Sequence, residues 1–179
     1  MTASPFMLKA LNIASQAMRI TSPNPRVGCV IVNSQGEILG QGHTQKAGGL
    51  HAEMVALQNA ANQGNSVEGA TVYVTLEPCA HHGRTGPCCD ALIQAKVSKV
   101  VAALTDPNPL VAGQGIDRLR AAGIEVEVGD SAHLAEQQNP GFLSRMKRHK
   151  PWVRLKMAAS LDGQTALQNG QSQWITGPE

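Results

Sequence analysis

The sequence predicts an α/β fold, and three observations carry that prediction. Short β-branched runs alternate with stretches of helical periodicity over most of the chain, the pattern of a sheet covered on both faces by helices. Turn-forming clusters such as Asn33-Ser-Gln-Gly36 and Asp106-Pro-Asn-Pro109 separate those stretches. Apolar residues make up 42% of the 179 positions, enough for one core and a single domain with an extension.

The elements follow in order. Ser4 is placed to cap a first helix with Pro5 in its first turn, and Met7, Leu11, Ala14 and Met18 then fall on one face as a core stripe. Val27 to Val32 and Glu37 to Gly42 read as strands joined by the turn at 33–36. A helix over Ala52 to Gln63, a strand over Thr71 to Leu76 and a helix from about Cys88 to Ala95 come next. A strand over Lys99 to Leu104, a helix over Gly115 to Ala122 ending at Gly123 and a strand over Ile124 to Val128 complete the alternation. One last helix is expected over Ser131 to Arg148; Trp152 to Met157 is read either as a strand that adds to an edge or packs against the preceding domain, or as part of a mobile tail.

Composition narrows the function classes. A net charge of +2 gives no electrostatic case for nucleic acid, and 3% aromatics are too few for base-stacking platforms. The basic run Arg145-Met-Lys-Arg-His-Lys150 reads as the solvated end of a helix entering a linker. The N-terminus lacks a basic region followed by an apolar core, and no apolar run is long enough to span a bilayer, so a cytoplasmic protein without membrane partners is expected. Four cysteines at 29, 79, 88 and 89 suit a reducing compartment, where a clustered trio points to metal binding before disulfides.

Chemistry concentrates in His51-Ala-Glu53, Pro78-Cys79 and Pro87-Cys88. A neutral imidazole and two thiolates suit zinc, and three protein ligands leave a fourth position for a water. Glu53, two residues after His51, is placed to move that water's proton without binding the metal, which is the inventory of a zinc deaminase. The alternative is a structural zinc site, which has no use for a proton carrier. The ligands fall at a helix start and a strand exit, where side chains converge without disturbing packing. Neighbouring helical residues point about 100° apart, so Cys88 and Cys89 are not expected to bind one metal together. Cys88, which follows Pro87, is taken as the ligand. Cys89 then reads as a packing residue or spare thiol, and Cys29 as a buried, inert one.

The run Thr75-Leu-Glu-Pro-Cys-Ala-His-His-Gly-Arg-Thr-Gly-Pro-Cys-Cys-Asp-Ala-Leu92 resembles the deaminase half of the bifunctional riboflavin-biosynthesis deaminase/reductase. Ser22-Pro-Asn-Pro-Arg-Val-Gly28, Gly42-His43 and Asp106-Pro-Asn-Pro-Leu-Val-Ala-Gly-Gln-Gly115 agree with it. Deaminases of cytidine, deoxycytidylate or tRNA adenosine usually carry Pro-Cys-x-x-Cys, whereas eight residues separate Cys79 from Cys88 here. The resemblance implies a cytidine-deaminase-like three-layer α/β/α sandwich with a mixed five-stranded sheet, a bound Zn²⁺ with Cys88 rather than Cys89 as ligand, and a homo-oligomer, dimer or tetramer. It further implies hydrolytic loss of the 2-amino group from 2,5-diamino-6-ribosylamino-4(3H)-pyrimidinone 5′-phosphate. Asn24 and His43 would contact ring or sugar, and His81, Arg84, Asp106 and Asn108 would hold the ribose phosphate. Asp106 and Asn108 also read as turn residues, and His82 as an exposed loop residue. The other deaminase substrates and a non-catalytic zinc-stabilised domain stay open as alternatives.

Residues 150–179 are set apart from a deaminase domain at 1–149. Pro151-Trp-Val-Arg-Leu-Lys-Met-Ala-Ala-Ser-Leu-Asp-Gly163 and Ser172-Gln-Trp-Ile-Thr-Gly177 resemble the opening of the reductase half of the same family. About 30 residues cannot build a nucleotide-binding fold, so NADPH and reductase activity are not expected of this chain.

Overall fold

The structure is a computed structural model that describes residues 3–81, 86–108 and 111–172. The element order is α1 (Pro5–Ser15), β1 (Gly28–Val32), β2 (Ile38–His43), α2 (Ala52–Asn62), β3 (Thr71–Val74), α3 (Cys88–Gln94) and β4 (Lys99–Ala102). There follow α4 (Gln114–Ala121), β5 (Glu125–Val128), α5 (Ala132–Gln138) and α6 (Pro140–Arg148). The strands form one sheet in the order β2-β1-β3-β4-β5, with β1 antiparallel to β2 and β3, and β3, β4 and β5 parallel. This is the expected mixed five-stranded sheet.

Strand periodicity sorts the core into two layers. Cys29 and Ile31 of β1, Val72 and Val74 of β3 and Val100 and Ala102 of β4 pack with Ala52 and Ala56 of α2, Leu92 of α3 and Leu119 of α4. Val30, Val32 and Val101 point the other way, onto Met7, Ala10, Leu11 and Ile13 of α1 and Ala135 of α5. Helices on both faces make the three layers.

Close approach fixes where α2 begins. A Cβ at Gly40 would lie 2.3 Å from the Ala56 carbonyl oxygen, and one at Gly42 would lie 2.7 Å from the Ala56 nitrogen. With glycines on β2 and alanines on α2, the helix backbone lies directly on the strand.

Three expectations are corrected. The single helix over 131–148 is two, because Pro140 disfavours the α conformation at Asn139, whose φ of −124° and ψ of 42° end α5. Met18 lies beyond the end of α1 and is 53% exposed, so the core stripe stops at Ala14. The strand open to Trp152 to Met157 does not form, and these residues are exposed.

Candidate functional site

Parallel pairing of β3 with β4 brings two chain exits side by side. Leaving β3, the chain passes through Glu77-Pro78-Cys79; leaving β4, it reaches Asp106 and Asn108, and the Glu77 N–H donates to the Leu104 carbonyl at 2.8 Å. A crevice beyond the carboxyl ends of parallel strands is where α/β sheets bind ligands.

His51 precedes α2 as its N-cap in extended conformation, and Cys88 is the first residue of α3. The His51 Nδ1 lies 3.5 Å from Cys79 Sγ and 3.3 Å from Cys88 Sγ. All three ligand atoms fall within 4.8 Å of one another. A tetrahedral zinc with ordinary Zn–N and Zn–S bonds would hold nitrogen and sulfur about 3.5 Å apart, so donor set and spacing both fit this ion. Two backbone bonds pin the cluster: Cys88 N–H to Cys79 Sγ at 3.4 Å, and Cys89 N–H to the Cys79 carbonyl at 3.2 Å. Cys89 instead packs in the core, with its thiol 3.8 Å from Asp90 Oδ1, and burial pushes that thiol up to about 11. Cys29 is fully buried and likewise raised by desolvation.

The thiols are unequal. Hydrogen bonding from Cys88 brings the Cys79 thiol down to about 4, and in turn holds the Cys88 thiol well above its usual range. The hydrogen bond to Cys79 raises the His51 imidazole. Glu53 is 3% exposed, and burial, then the Cys79 charge, lifts its carboxyl to about 7. A carboxyl at that value exchanges protons in both directions near neutrality.

A cavity of about 250 Å³ opens over this cluster. His51, Glu53 and Cys79 line it, together with the sequence-predicted Asn24, His81, Asp106 and Asn108. Burial raises the Asp106 carboxyl, whose Oδ1 accepts from the Asn108 N–H at 2.9 Å. His43 does not line the cavity; its Nδ1 lies 3.1 Å from the Thr44 carbonyl oxygen. Arg84 and His82 lie outside the described residues. Sequence reasoning missed Glu77, and it missed Phe142, Arg145 and Met146 of α6, which form one wall. The basic run that opens at Arg145 is therefore more than a solvated helix end: Arg145 donates to the Pro23 carbonyl at 2.9 Å and sits 5.9 Å over the Phe142 ring.

The chain is 56% identical over 174 residues to the riboflavin biosynthesis protein RibD of Escherichia coli, covering 97% of this chain and 46% of that one. A solved RibD of Acinetobacter baumannii superposes with a TM-score of 0.88 at 53% identity, covering 96% of this chain and 47% of its own. A Thermotoga maritima structure, described as a diaminohydroxyphosphoribosylaminopyrimidine deaminase/5-amino-6-(5-phosphoribosylamino)uracil reductase, gives 0.91 at 40% identity, covering 96% and 49%. The chain thus spans about half the length of the relatives it matches. Residues 151–179 match the RibD C-terminal domain. Residues 1–104, which include the His51, Cys79 and Cys88 cluster, match the cytidine and deoxycytidylate deaminase zinc-binding region, and the chain belongs to that family.

Proposed function

We propose that the chain hydrolyses 2,5-diamino-6-ribosylamino-4(3H)-pyrimidinone 5′-phosphate at its 2-amino group, giving 5-amino-6-(5-phosphoribosylamino)uracil and ammonia. The observation that carries this reading is the buried Glu53 carboxyl beside a three-ligand cluster, under a cavity that Asn24, His81, Asp106 and Asn108 also line. Likeness to RibD proteins over nearly the whole chain supports the choice of substrate.

Zinc held by His51, Cys79 and Cys88 would supply a Lewis acid that makes a water nucleophilic at neutral pH. Glu53 takes one proton from the attacking water and passes it to the ring nitrogen beside the amine-bearing carbon, then takes the second proton from the hydroxyl now on that carbon and passes it to the departing amine. The carbon–nitrogen bond to the amine breaks, a carbonyl replaces it, and ammonia leaves. Asn24 is assigned to ring or sugar, and His81, Arg84, Asp106 and Asn108 to the ribose phosphate; His43, which does not line the cavity, is given no contact. Val27, Leu76 and Val111 give the cavity apolar walls that keep competing water away.

The same reading divides the chain into a deaminase domain over 1–149 and the start of a reductase domain over 150–179, with NADPH chemistry belonging to the reductase half. It includes a homo-oligomer and a cytoplasmic location; among the described residues no helix is long and apolar enough to cross a membrane. The deciding experiment is ammonia release by the zinc-loaded chain from the aminopyrimidine ribotide, with cytidine, deoxycytidylate and a tRNA anticodon loop in parallel. Turnover of the ribotide alone supports the reading, and turnover of only the others replaces it.

A further inference from the structure

Two carboxylates are buried among the described residues, Glu53 and Glu77, and the reaction uses only the first. Glu77 stands two residues before Cys79, and its partners are backbone N–H groups. Its Oε2 accepts from Asp106 and Gly113, both at 3.0 Å, and its Oε1 accepts from Gly115 at 2.9 Å and Ile116 at 3.3 Å. Gly115 and Ile116 belong to the first turn of α4, where N–H groups lack intrahelical acceptors and the N-cap, Gly113, has no side chain to offer. Helix capping thus accounts for two of the four bonds. The other two close the segment after β4, which carries Asp106 and Asn108, onto the β3 exit that carries Cys79.

Packing enforces the same register. A Cβ on Gly115 would sit 1.9 Å from the Pro78 carbonyl oxygen, so α4 starts flush against the residue before Cys79. Asp106 in turn accepts from the Asn108 N–H. One line of hydrogen bonds therefore runs from Glu77, on the β3 exit beside Cys79, to Asp106 and on to Asn108, both of which line the cavity.

We propose that Glu77 is a positioning residue: it holds Asp106 and Asn108 at a set distance from the metal cluster and so determines affinity for the phosphoribosyl substrate without taking part in the proton transfers. This rests on the deaminase reading above. A carboxylate is needed because both oxygens must accept from two N–H donors each; an amide offers one accepting oxygen and turns its NH₂ towards two donors.

The test is Glu77→Gln in the zinc-loaded full chain. Expected are a KM for the aminopyrimidine ribotide raised tenfold or more, kcat within about threefold of the parent, unchanged zinc content, and amide exchange at Asp106, Gly113, Gly115 and Ile116 faster by at least tenfold. An unchanged KM overturns the proposal, as does a loss carried wholly by kcat, a loss of zinc, or unaltered exchange at those four amides. Ribotide binding is also followed by calorimetry: a parent chain that binds it but releases no ammonia defeats the functional reading alone, with the variant's Kd then standing for KM. A parent chain that does not bind it defeats both. Should E77Q not fold, Glu77→Asp keeps both accepting oxygens but is shorter by one methylene, and the same criteria apply with a smaller shift.

Discussion

Glu53 owes its protonation behaviour to burial beside a thiolate, which lifts its carboxyl to about 7. Glu53→Gln keeps the shape and removes the proton exchange, so ammonia release should fall by about 10²–10⁴ with zinc content unchanged, read by coupled assay and metal analysis. The metal ligands carry a second prediction. Without metal Cys79 is already a thiolate near neutrality, whereas Cys88 holds its proton. Zinc uptake must expel the Cys88 proton, so apparent affinity should rise about tenfold per pH unit, and more steeply below the raised value of His51, where a second proton has to leave. Competition with a chelator across pH 6–8 measures that slope; a flat profile would contradict the assignment of Cys88. These four residues were legible in the sequence because each sits in a short motif at an element boundary. Arg145 and Met146 were not, since a basic run at a helix end looks the same whether it faces solvent or roofs a cavity, and only the turn of α6 onto Asn24 and Pro25 decides.

Among the elements, α2 and α4 set the site, each by approaching its neighbour more closely than a side chain would allow. Gly42→Ala would place a Cβ 2.6 Å from the Val55 Cβ and force α2 off β2. A stability loss of about 1–3 kcal/mol is expected, seen as a lower Tm, with weaker zinc retention because His51 moves with the helix. Leu119→Ala empties a fully buried position under α4 and should cost about 2–5 kcal/mol in denaturant unfolding. Element positions were readable to within a residue or two, since β-branched runs and helical spacing leave local signals. The break at Asn139 escaped because apolar spacing continues across it, with Leu134 and Ala135 before and Phe142 and Leu143 after. Pro140 was the signal that should have taken precedence.

At the scale of the whole molecule, strand order has no local signature: nothing in residues 28–32 announces that β1 runs antiparallel to both neighbours while β3, β4 and β5 run together. The resemblance supplied only a mixed five-stranded sheet within three layers, and the strand pairing and the two core layers bear that much out. The described part of the terminal segment, residues 151–172, adds nothing to either layer. Deleting 151–179 should therefore change unfolding free energy by no more than about 0.5 kcal/mol and leave ammonia release intact. Val153, Leu155 and Met157 alternate along that segment at 80%, 80% and 65% exposure, with Arg154 and Lys156 between them. Apolar side chains exposed at every second position are a template for sticking to their own kind. In the test tube this makes the terminal segment the limit on solubility: concentrated solutions of the intact chain should scatter light well before those of the shortened one, at equal zinc loading and equal Tm.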